Sequence, residues 1–295
     1  MSHQNRRTAI KNMVTGSAAV VGAGALSAFT IDEPKEHINA ALKGNINHSV
    51  SPWCYRPLTL DELCLVSKQI GIKGIDLCGP ADWPTLQKHG MHSPMCNGAE
   101  INLTDGFNDP KFHATLQKNY ANLIPQVAQN GYTNLICFSG SRRGKDDETG
   151  WRNCVEGLKP LVELAEKHKV VLCMELLNSK VDHKDYQCDR VEWGVELCKR
   201  LGSENFKLLY DIYHMQIMEG DIIRNIKTYH QYIAHYHTGG IPGRNEIDDT
   251  QELYYPAVMK AIVSTGFKGY VGQEFVPKNT DKIASLKAAI RICDV

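Results

Sequence analysis

Four ionisable residues each follow an apolar run, and their side chains suit a single metal centre. The runs VVLCME, FKLLYD, IAHYH and GYVGQE end at Glu175, Asp211, His237 and Glu274. An unpaired charge in a buried strand is costly, so four such residues in successive predicted strands indicate a shared site. Three carboxylates and one imidazole form a hard, mainly oxygen ligand set. This set favours one divalent ion, Mn²⁺, Mg²⁺ or Co²⁺, and is also compatible with Zn²⁺.

The stretch FKLLYDIYH carries both Asp211 and a second histidine, His214. A carboxylate at the end of a buried strand and an imidazole three residues later can face one cleft. The alternative is structural: Asp211 caps the following helix and His214 lies on its flank. The stretch alone does not decide between these interpretations.

These residues require a fold that brings the ends of several strands together. Short apolar runs alternate with longer amphipathic ones along the chain. The predicted strands are residues 44–50, 73–77, 91–95, 133–138, 170–175, 206–211, 233–237 and 269–274. The predicted helices are residues 60–70, 83–88, 110–130, 151–168, 189–201, 221–229, 252–265 and 280–290. This alternation predicts an α/β protein with a (β/α)₈ TIM barrel, whose active site lies at the carboxyl ends of the strands.

The N-terminal segment has the pattern of an export signal. Arg6 and Arg7 precede a weakly apolar run rich in Gly, Ala and Ser, which resembles a twin-arginine signal. We therefore predict a signal at residues 1–27, a spacer at 28–43 and the barrel at 44–295. The predicted location is the periplasm, with no stable membrane insertion after processing. The alternative is an uncleaved signal that anchors the chain through residues 13–29.

Composition excludes several classes of function. The formal net charge of the 295 residues is zero and no basic patch for nucleic acid is evident. The ten cysteines show neither a CxxC pair nor zinc-finger spacing, so neither a disulfide framework nor a zinc finger is expected. The expected partner is a small molecule and not a nucleic acid, while homo-oligomer formation is left open.

Four motifs give the chain a specific resemblance. From about Gly44 onward it resembles the xylose-isomerase-like barrel superfamily of sugar isomerases and epimerases, and within it the hydroxypyruvate isomerases. The motifs are MELLN (174–178), YDIYHMQ (210–216), AHYHTGGIPGRNE (234–246) and GYVGQEF (269–275). The resemblance implies that one divalent metal is bound by Glu175, Asp211, His237 and Glu274. It further implies that Glu175 and Glu274 perform the acid-base chemistry and that His214 and Arg244 contact substrate oxygens.

The implied activity is a metal-dependent isomerisation that moves a carbonyl between adjacent carbons through an enediolate. The nearest family activity converts hydroxypyruvate to tartronate semialdehyde, and Arg244 would neutralise the carboxylate of such a substrate. Two departures stand out. Many hydroxypyruvate isomerases carry Gln where this chain has His237, and ketose 3-epimerases carry a substrate-binding Glu where this chain has Val181.

Three other functions share features with this sequence. A ketose epimerase, or a lyase or dehydratase acting on keto-sugars, would use the same metal site. A nuclease of the endonuclease IV type would need three zinc ions and a basic surface for DNA, and the neutral composition disfavours it. A non-catalytic exported sugar-binding protein would not need both Glu175 and Glu274.

Other polar residues have weaker claims on the site. His48 and His92 lie near the ends of predicted strands and could reach the pocket, although a structural role is expected. His235 is predicted to lie one layer below His237 as a hydrogen-bond partner and not as a ligand. Trp53 could form a wall of the pocket. Arg142 and Arg143 could attract an anionic substrate, but a solvated charge run is the simpler interpretation.

Overall fold

A computed structural model describes residues 41–295, and its strands form one parallel sheet. The strands are β1 (Asn47–Val50), β2 (Gly74–Ile75), β3 (Asn134–Cys137), β4 (Val171–Glu175), β5 (Phe206–Asp211), β6 (Ile233–Thr238) and β7 (Tyr270–Gln273). Their order in the sheet is β2-β1-β7-β6-β5-β4-β3. The predicted α/β fold is confirmed, and seven of the eight predicted strands are present.

The remaining predicted strand, residues 91–95, does not form a regular strand. It makes isolated bridges to the two edges of this sheet. On one side, the Ile75 N–H donates to His92 O at 2.9 Å, and the bridge from Gly74 to His92 is parallel. On the other side, the Cys96 N–H donates to Asn134 O at 2.9 Å. Pro94 has no N–H to donate to a ladder. The segment therefore joins β2 to β3 and closes the barrel without forming a regular strand.

Helices follow most of the strands, close to the predicted positions. They are α1 (Leu60–Ile70), α2 (Trp83–His89), α3 (His113–Gln129), α4 (Asp147–His168), α5 (Val191–Leu201), α6 (Ile212–Met218), α7 (Ile222–Tyr229), α8 (Tyr255–Ser264) and α9 (Lys282–Cys293). Three short 3₁₀ helices occupy Pro52–Tyr55, Pro110–Phe112 and His230–Tyr232. Two differences from the predicted helices concern α4, which begins earlier, and α6, which appeared only in the capping interpretation of Asp211.

The beginnings of these two helices have clear local causes. Asp146 accepts a hydrogen bond from the Thr149 N–H at 2.7 Å, so α4 starts inside the charged loop. Asp211 caps α6 in the same way, because its Oδ1 accepts from the Tyr213 N–H at 2.8 Å. The capping interpretation of Asp211 is therefore correct. It does not exclude a second role, because Asp211 Oδ2 remains directed elsewhere.

The strand register sets the position of each candidate residue along the barrel axis. In the β5–β6 pair, Asp211 lies beside His237, and in the β6–β7 pair, His237 lies beside Gly272. Strands β4 and β5 are almost wholly buried, as expected for parallel strands covered by helices. Polar side chains at the carboxyl ends of β4 to β6 therefore meet in one region.

The two predicted N-terminal segments lie almost entirely outside the part of the chain that the structure describes. The predicted signal at residues 1–27 and most of the spacer at 28–43 lie outside the described residues, so both remain predictions. At the end of the spacer, the Lys43 N–H donates to the Asp294 carboxylate at 3.0 Å. Within residues 41–295, no helix is long and apolar enough to cross a membrane.

Candidate active site

The four residues expected to bind metal converge at one point. One potential ligand atom from each of Glu175, Asp211, His237 and Glu274 lies within 4.8 Å of the others, and all four residues are buried. Glu175 and Asp211 end β4 and β5, His237 lies near the end of β6, and Glu274 follows β7. Adjacent strands thus deliver three carboxylates and one imidazole to one small volume.

The contacts of His237 test whether these residues fit a cation. Its Nδ1 lies 2.7 Å from Glu274 Oε2 and 3.6 Å from Glu175 Oε1. Nevertheless, neither ring nitrogen has a partner with hydrogen-bond geometry among the described residues. Polar atoms that lie close together without forming hydrogen bonds to one another are arranged like ligands directed at a common centre. Buried charged atoms in this arrangement fit a divalent cation.

A guanidinium group also contacts this cluster. Arg244 Nη2 donates to Asp211 Oδ2 at 2.7 Å and forms a shorter contact with Glu274 Oε2. Its Nε donates to the Glu274 carbonyl oxygen at 2.9 Å. Arg244 therefore balances part of the carboxylate charge and lies where it can meet a substrate.

The two candidate catalytic carboxylates have different electrostatic surroundings. Burial raises the pKa of Glu175, although the His237 ring opposes this effect. Burial alone would also raise the pKa of Glu274, but the positive charges of His237 and Arg244 hold it well below its ordinary value. The Trp53 Nε1–H also donates to Glu274 Oε1 at 2.7 Å. Two carboxyl groups whose pKa values are pushed apart can serve as an acid and a base.

Asp76, which sequence reasoning missed, lies on the far side of His237. Its Oδ2 is 3.6 Å from His237 Nε2 and 3.2 Å from His235 Nε2, and it accepts from Ser49 Oγ at 2.7 Å. Gly272 makes this contact feasible, because a Cβ there would lie 2.0 Å from Asp76 Oδ2. The charge of this buried carboxylate favours one orientation of the His237 ring, while its hydrogen bonds go to His235 and Ser49. Asp76 follows β2, so the same strand-end pattern could have identified it if that strand were longer.

The histidine on α6 is held by an amide. Asn178 Nδ2 lies 2.6 Å from His214 Nδ1, while Asn178 Oδ1 accepts from the Val181 and Asp182 N–H groups. Asn178 therefore donates to Nδ1, which leaves the proton of the neutral ring on Nε2. Burial lowers the pKa of His214 well below its ordinary value, which keeps the ring neutral.

The opposite ring nitrogen of His214 faces a second donor. Its Nε2 lies 2.8 Å from Arg244 Nη1, and a guanidinium group can only donate. His214 and Arg244 therefore lie side by side at the cavity, where each can contact a substrate oxygen. Asn178 belongs to the MELLN motif, but the sequence alone gave it no role.

A cavity of about 770 Å³ opens above the cluster. Glu175, His214, Arg244 and Glu274 line its polar part, and Trp53 forms a wall as expected. This volume is within the usual range for small-molecule sites. The cluster is therefore accessible to a ligand of small-molecule size.

The histidines with weaker claims on the site do not line the cavity. His48 is buried, and His92 stacks on Tyr270 with ring centroids 5.7 Å apart. The structural role that was expected agrees with this placement, and the alternative that they reach the pocket is not supported. His235 contacts Asp76, as its predicted place below His237 suggested.

The basic pair in the charged loop does not reach the cavity either. Arg142 pairs with Asp147 at 2.7 Å and with Asp189 at 3.3 Å, while Arg143 pairs with Asp105. Attraction of substrate by these arginines is not supported, since their charges are balanced locally. The simpler interpretation, a surface charge network, agrees with these ion pairs.

Comparison with known proteins places this chain in a family. The xylose isomerase-like TIM barrel family matches residues 84–293. Hydroxypyruvate isomerase from Escherichia coli (strain K12) is 30% identical over 223 residues, covering 72% of this chain and 86% of that protein. The 2-oxo-tetronate isomerase of Cupriavidus necator is 32% identical over 124 residues, which are 42% of this chain and 47% of that protein. The chain thus spans about half the length of some of the curated relatives it matches.

A solved structure supports the same fold. The structure of AP endonuclease, family 2 from Brucella melitensis superposes with a TM-score of 0.72 at 22% identity, over 82% of this chain and 96% of that one. Identity at this level speaks for the fold alone. The family match and the hydroxypyruvate isomerase relative show that the chain belongs to the xylose isomerase-like TIM barrel family. Its two named sequence relatives above are both isomerases.

Proposed function

We propose that this protein is a metal-dependent isomerase that moves a carbonyl between adjacent carbons of a hydroxy-keto acid or sugar through an enediolate. The observation that supports it most is the convergence of Glu175, Asp211, His237 and Glu274 beneath one cavity. The nearest activity is the conversion of hydroxypyruvate to tartronate semialdehyde. The names of the two isomerase relatives are consistent with this class of reaction.

We propose Glu175, Asp211, His237 and Glu274 as the residues that would hold one divalent ion. The oxygen-rich set favours Mn²⁺, Mg²⁺ or Co²⁺, with Zn²⁺ as the alternative. When bound, such an ion supplies Lewis-acid stabilisation of the negative charge that develops on the substrate oxygens. The surrounding residues then divide the remaining work of binding and proton transfer.

The proton moves between two carbons of the substrate. Glu274, which lies beside the Arg244 guanidinium, would remove the proton alpha to the carbonyl as a carboxylate. Glu175 would deliver a proton to the neighbouring carbon, while the hydroxyl proton would pass to the former carbonyl oxygen through the enediol. Exchange with solvent would then restore both carboxyl groups. A positioned acid-base pair contributes about 10²- to 10⁴-fold to the rate. His214 and Arg244 would donate to substrate oxygens and fix the orientation.

The test is to incubate the purified, metal-loaded protein in D₂O with a panel of hydroxy-keto acids, ketoses and keto-sugars. Proton NMR should show deuterium entering at carbon alpha to the carbonyl, together with a product whose carbonyl has moved to the next carbon. Inversion at one carbon without carbonyl movement would indicate an epimerase, and loss of a group would indicate a lyase or dehydratase. Binding without any exchange would overturn the enzyme assignment in favour of a sugar-binding protein.

Asp76 provides a prediction that does not depend on activity. Replacing Asp76 with Asn removes a negative charge that lies 3.6 Å from His237 Nε2. This charge favours one orientation of the ring. Loss of such a partner typically lowers metal affinity by about 10- to 100-fold. Titration calorimetry with Mn²⁺ measures this directly. Asp61→Asn, which alters a surface ion pair with Lys88, is the control. Equal affinity in the wild type and Asp76→Asn would refute the orienting role.

We also propose that the N-terminal segment exports the protein to the periplasm by a twin-arginine route, with membrane anchoring as the alternative. Changing Arg6 and Arg7 to Lys should leave the precursor in the cytoplasm, because the paired arginines define this signal. Fractionation and the size of the mature chain report the outcome. Changing Lys11 to Arg, which keeps the pair and the charge, is the control. Normal processing of the double lysine variant would contradict this route.

A further inference from the structure

The outer part of the cavity differs in character from its polar floor. Trp53, Ile101 and Val181 are among the few large hydrophobic side chains that are exposed in the described part of the chain, at 43%, 37% and 60%. All three line this cavity, and they come from three separate connections of the barrel. Exposed apolar side chains gathered at one site mark a surface that binds an apolar group.

Further apolar residues, two of them buried and two half-buried, extend this surface. Leu103, Phe138, Leu177 and Ile217 line the same cavity. A sugar with hydroxyl groups on every side would lose hydrogen bonds to water against these walls, at a cost in free energy. The walls therefore suit carbon-rich groups, and the hydroxyl and carbonyl groups of a substrate belong at the floor.

The charges around the cavity restrict the apolar group further. Glu100 and Asp182 line the cavity in addition to Glu175 and Glu274. Among the described lining residues, Arg244 is the one side chain with a fixed positive charge, and it already contacts Asp211 and Glu274. A phosphate or another anion on the outer part of a ligand would meet carboxylates without a balancing cation. The group bound there should therefore be neutral.

The size of the cavity agrees with a larger ligand than the simplest family substrate. A volume of about 770 Å³ lies in the range that accommodates drug-sized ligands. A three-carbon hydroxy-keto acid would occupy only the floor and would leave the apolar walls in contact with water. A substrate with an apolar extension would cover them, and the hydrophobic effect would contribute to its binding.

We propose that the substrate is a hydroxy-keto compound, either a keto-sugar or a hydroxy-keto acid, that carries a neutral apolar substituent. The polar head binds at the floor, and the substituent packs against Trp53, Ile101 and Val181. This inference rests on the proposed function for the chemistry of the head. The contacts of the substituent are independent of catalysis and can be measured separately.

The test uses two series of compounds in which only the apolar part grows. One series is 3-hydroxy-2-oxo acids with alkyl chains of increasing length at carbon 3, and the other is alkyl glycosides of a 3-keto-hexose. The metal-loaded full-length protein is assayed for deuterium exchange and, by calorimetry, for affinity. Each methylene that becomes buried should improve kcat/KM and affinity by up to about fourfold, until the cavity is filled. A flat or falling dependence on length in both series would overturn the inference.

Variants of two wall residues, compared with a surface variant, test where the apolar substituent binds. Val181→Ser and Ile101→Ser should reduce the gain per methylene, because they remove apolar surface from the walls. Leu65→Ser is the control, since Leu65 is 51% exposed but lies on α1 and does not line the cavity. The Leu65 variant should keep the wild-type dependence on length. An equal reduction in all three variants would place the apolar contact elsewhere and reject the site.

The outcomes separate this inference from the proposed function. Exchange that is independent of chain length would support the isomerase and reject the apolar substituent. Affinity that rises with chain length, without exchange in any compound, would support the apolar site and reject the enzyme. Absence of both effects would reject both.

Discussion

Replacing Glu274 with Gln is expected to lower the rate of alpha-proton exchange by a factor on the order of 10³ or more while leaving the fold intact. The amide keeps one oxygen, which can take the place of Oε2 on the side of His237 and a metal. Its NH2 group then replaces Oε1, which accepts from the partly exposed Trp53 Nε1–H at 2.7 Å. The amide cannot accept the substrate proton. Metal occupancy should therefore fall much less than turnover. Exchange measured by NMR and occupancy measured by elemental analysis give the two quantities.

A matched surface variant shows whether the effect is specific. Glu204 is paired with Lys207 and its side chain is 91% exposed, so Glu204→Gln should leave exchange unchanged. Glu175→Gln removes the other carboxylate of the proposed pair and should also reduce exchange strongly. If Glu274→Gln kept nearly full exchange while holding metal, Glu274 would not be the essential base. The two-carboxylate mechanism would then be abandoned.

Replacing Asp211 with Asn should weaken metal binding first, by about 100-fold or more, with activity partly recovered at high metal concentration. The reason is the loss of one negative charge from the proposed ligand set, since charge count tunes the affinity of oxygen sites. The helix cap survives, because the Asn Oδ1 can still accept from the Tyr213 N–H that Asp211 Oδ1 binds at 2.8 Å. Calorimetric titration with Mn²⁺, followed by exchange assays across metal concentrations, measures both effects.

Asp182→Asn is the control for this prediction. Asp182 also lines the cavity, but its Oδ2 accepts from the Tyr213 hydroxyl and from Asn178 Nδ2, and it is not part of the four-residue group. Its replacement should leave metal affinity close to that of the wild type. Equal losses in both variants would mean that general cavity charge, and not ligation by Asp211, governs binding.

The long apolar strands and their polar ends could be predicted from the sequence. β4, β5 and β6 begin and end within a residue or so of the predicted bounds, because a buried parallel strand gives a near-continuous apolar run. The four residues at their ends and after β7 then follow from barrel geometry, in which strand ends share one face. The convergence of Glu175, Asp211, His237 and Glu274 was therefore predictable from chain order alone.

The first part of the barrel was harder to predict. β2 has only two residues, and Leu77 just after it adopts a positive φ of 53°, which ends the extended conformation. Pro94 interrupts hydrogen bonding in the next segment. A short strand produces no clear apolar run, so Asp76 did not stand out as a strand-end residue.

Contacts between distant side chains were also beyond sequence reasoning. The orientation of His214 depends on Asn178, which lies 36 residues away. Likewise, Arg244 reaches Asp211 and Glu274 from a loop, with its backbone at a positive φ of 58°. Such contacts depend on how loops pack over the barrel, and periodicity in the sequence does not encode them. The motifs that contain these residues indicated their importance but not their partners.

The most direct test of the proposed metal centre is a crystal structure of the protein grown with Mn²⁺, with data collected on both sides of the manganese absorption edge. We predict one anomalous peak within bonding distance of Glu175, Asp211, His237 and Glu274, and no comparable peak elsewhere in the barrel. A peak that lies away from this group, or a structure with full-occupancy Mn²⁺ in which two of these side chains do not contact the ion, would refute the proposed metal centre.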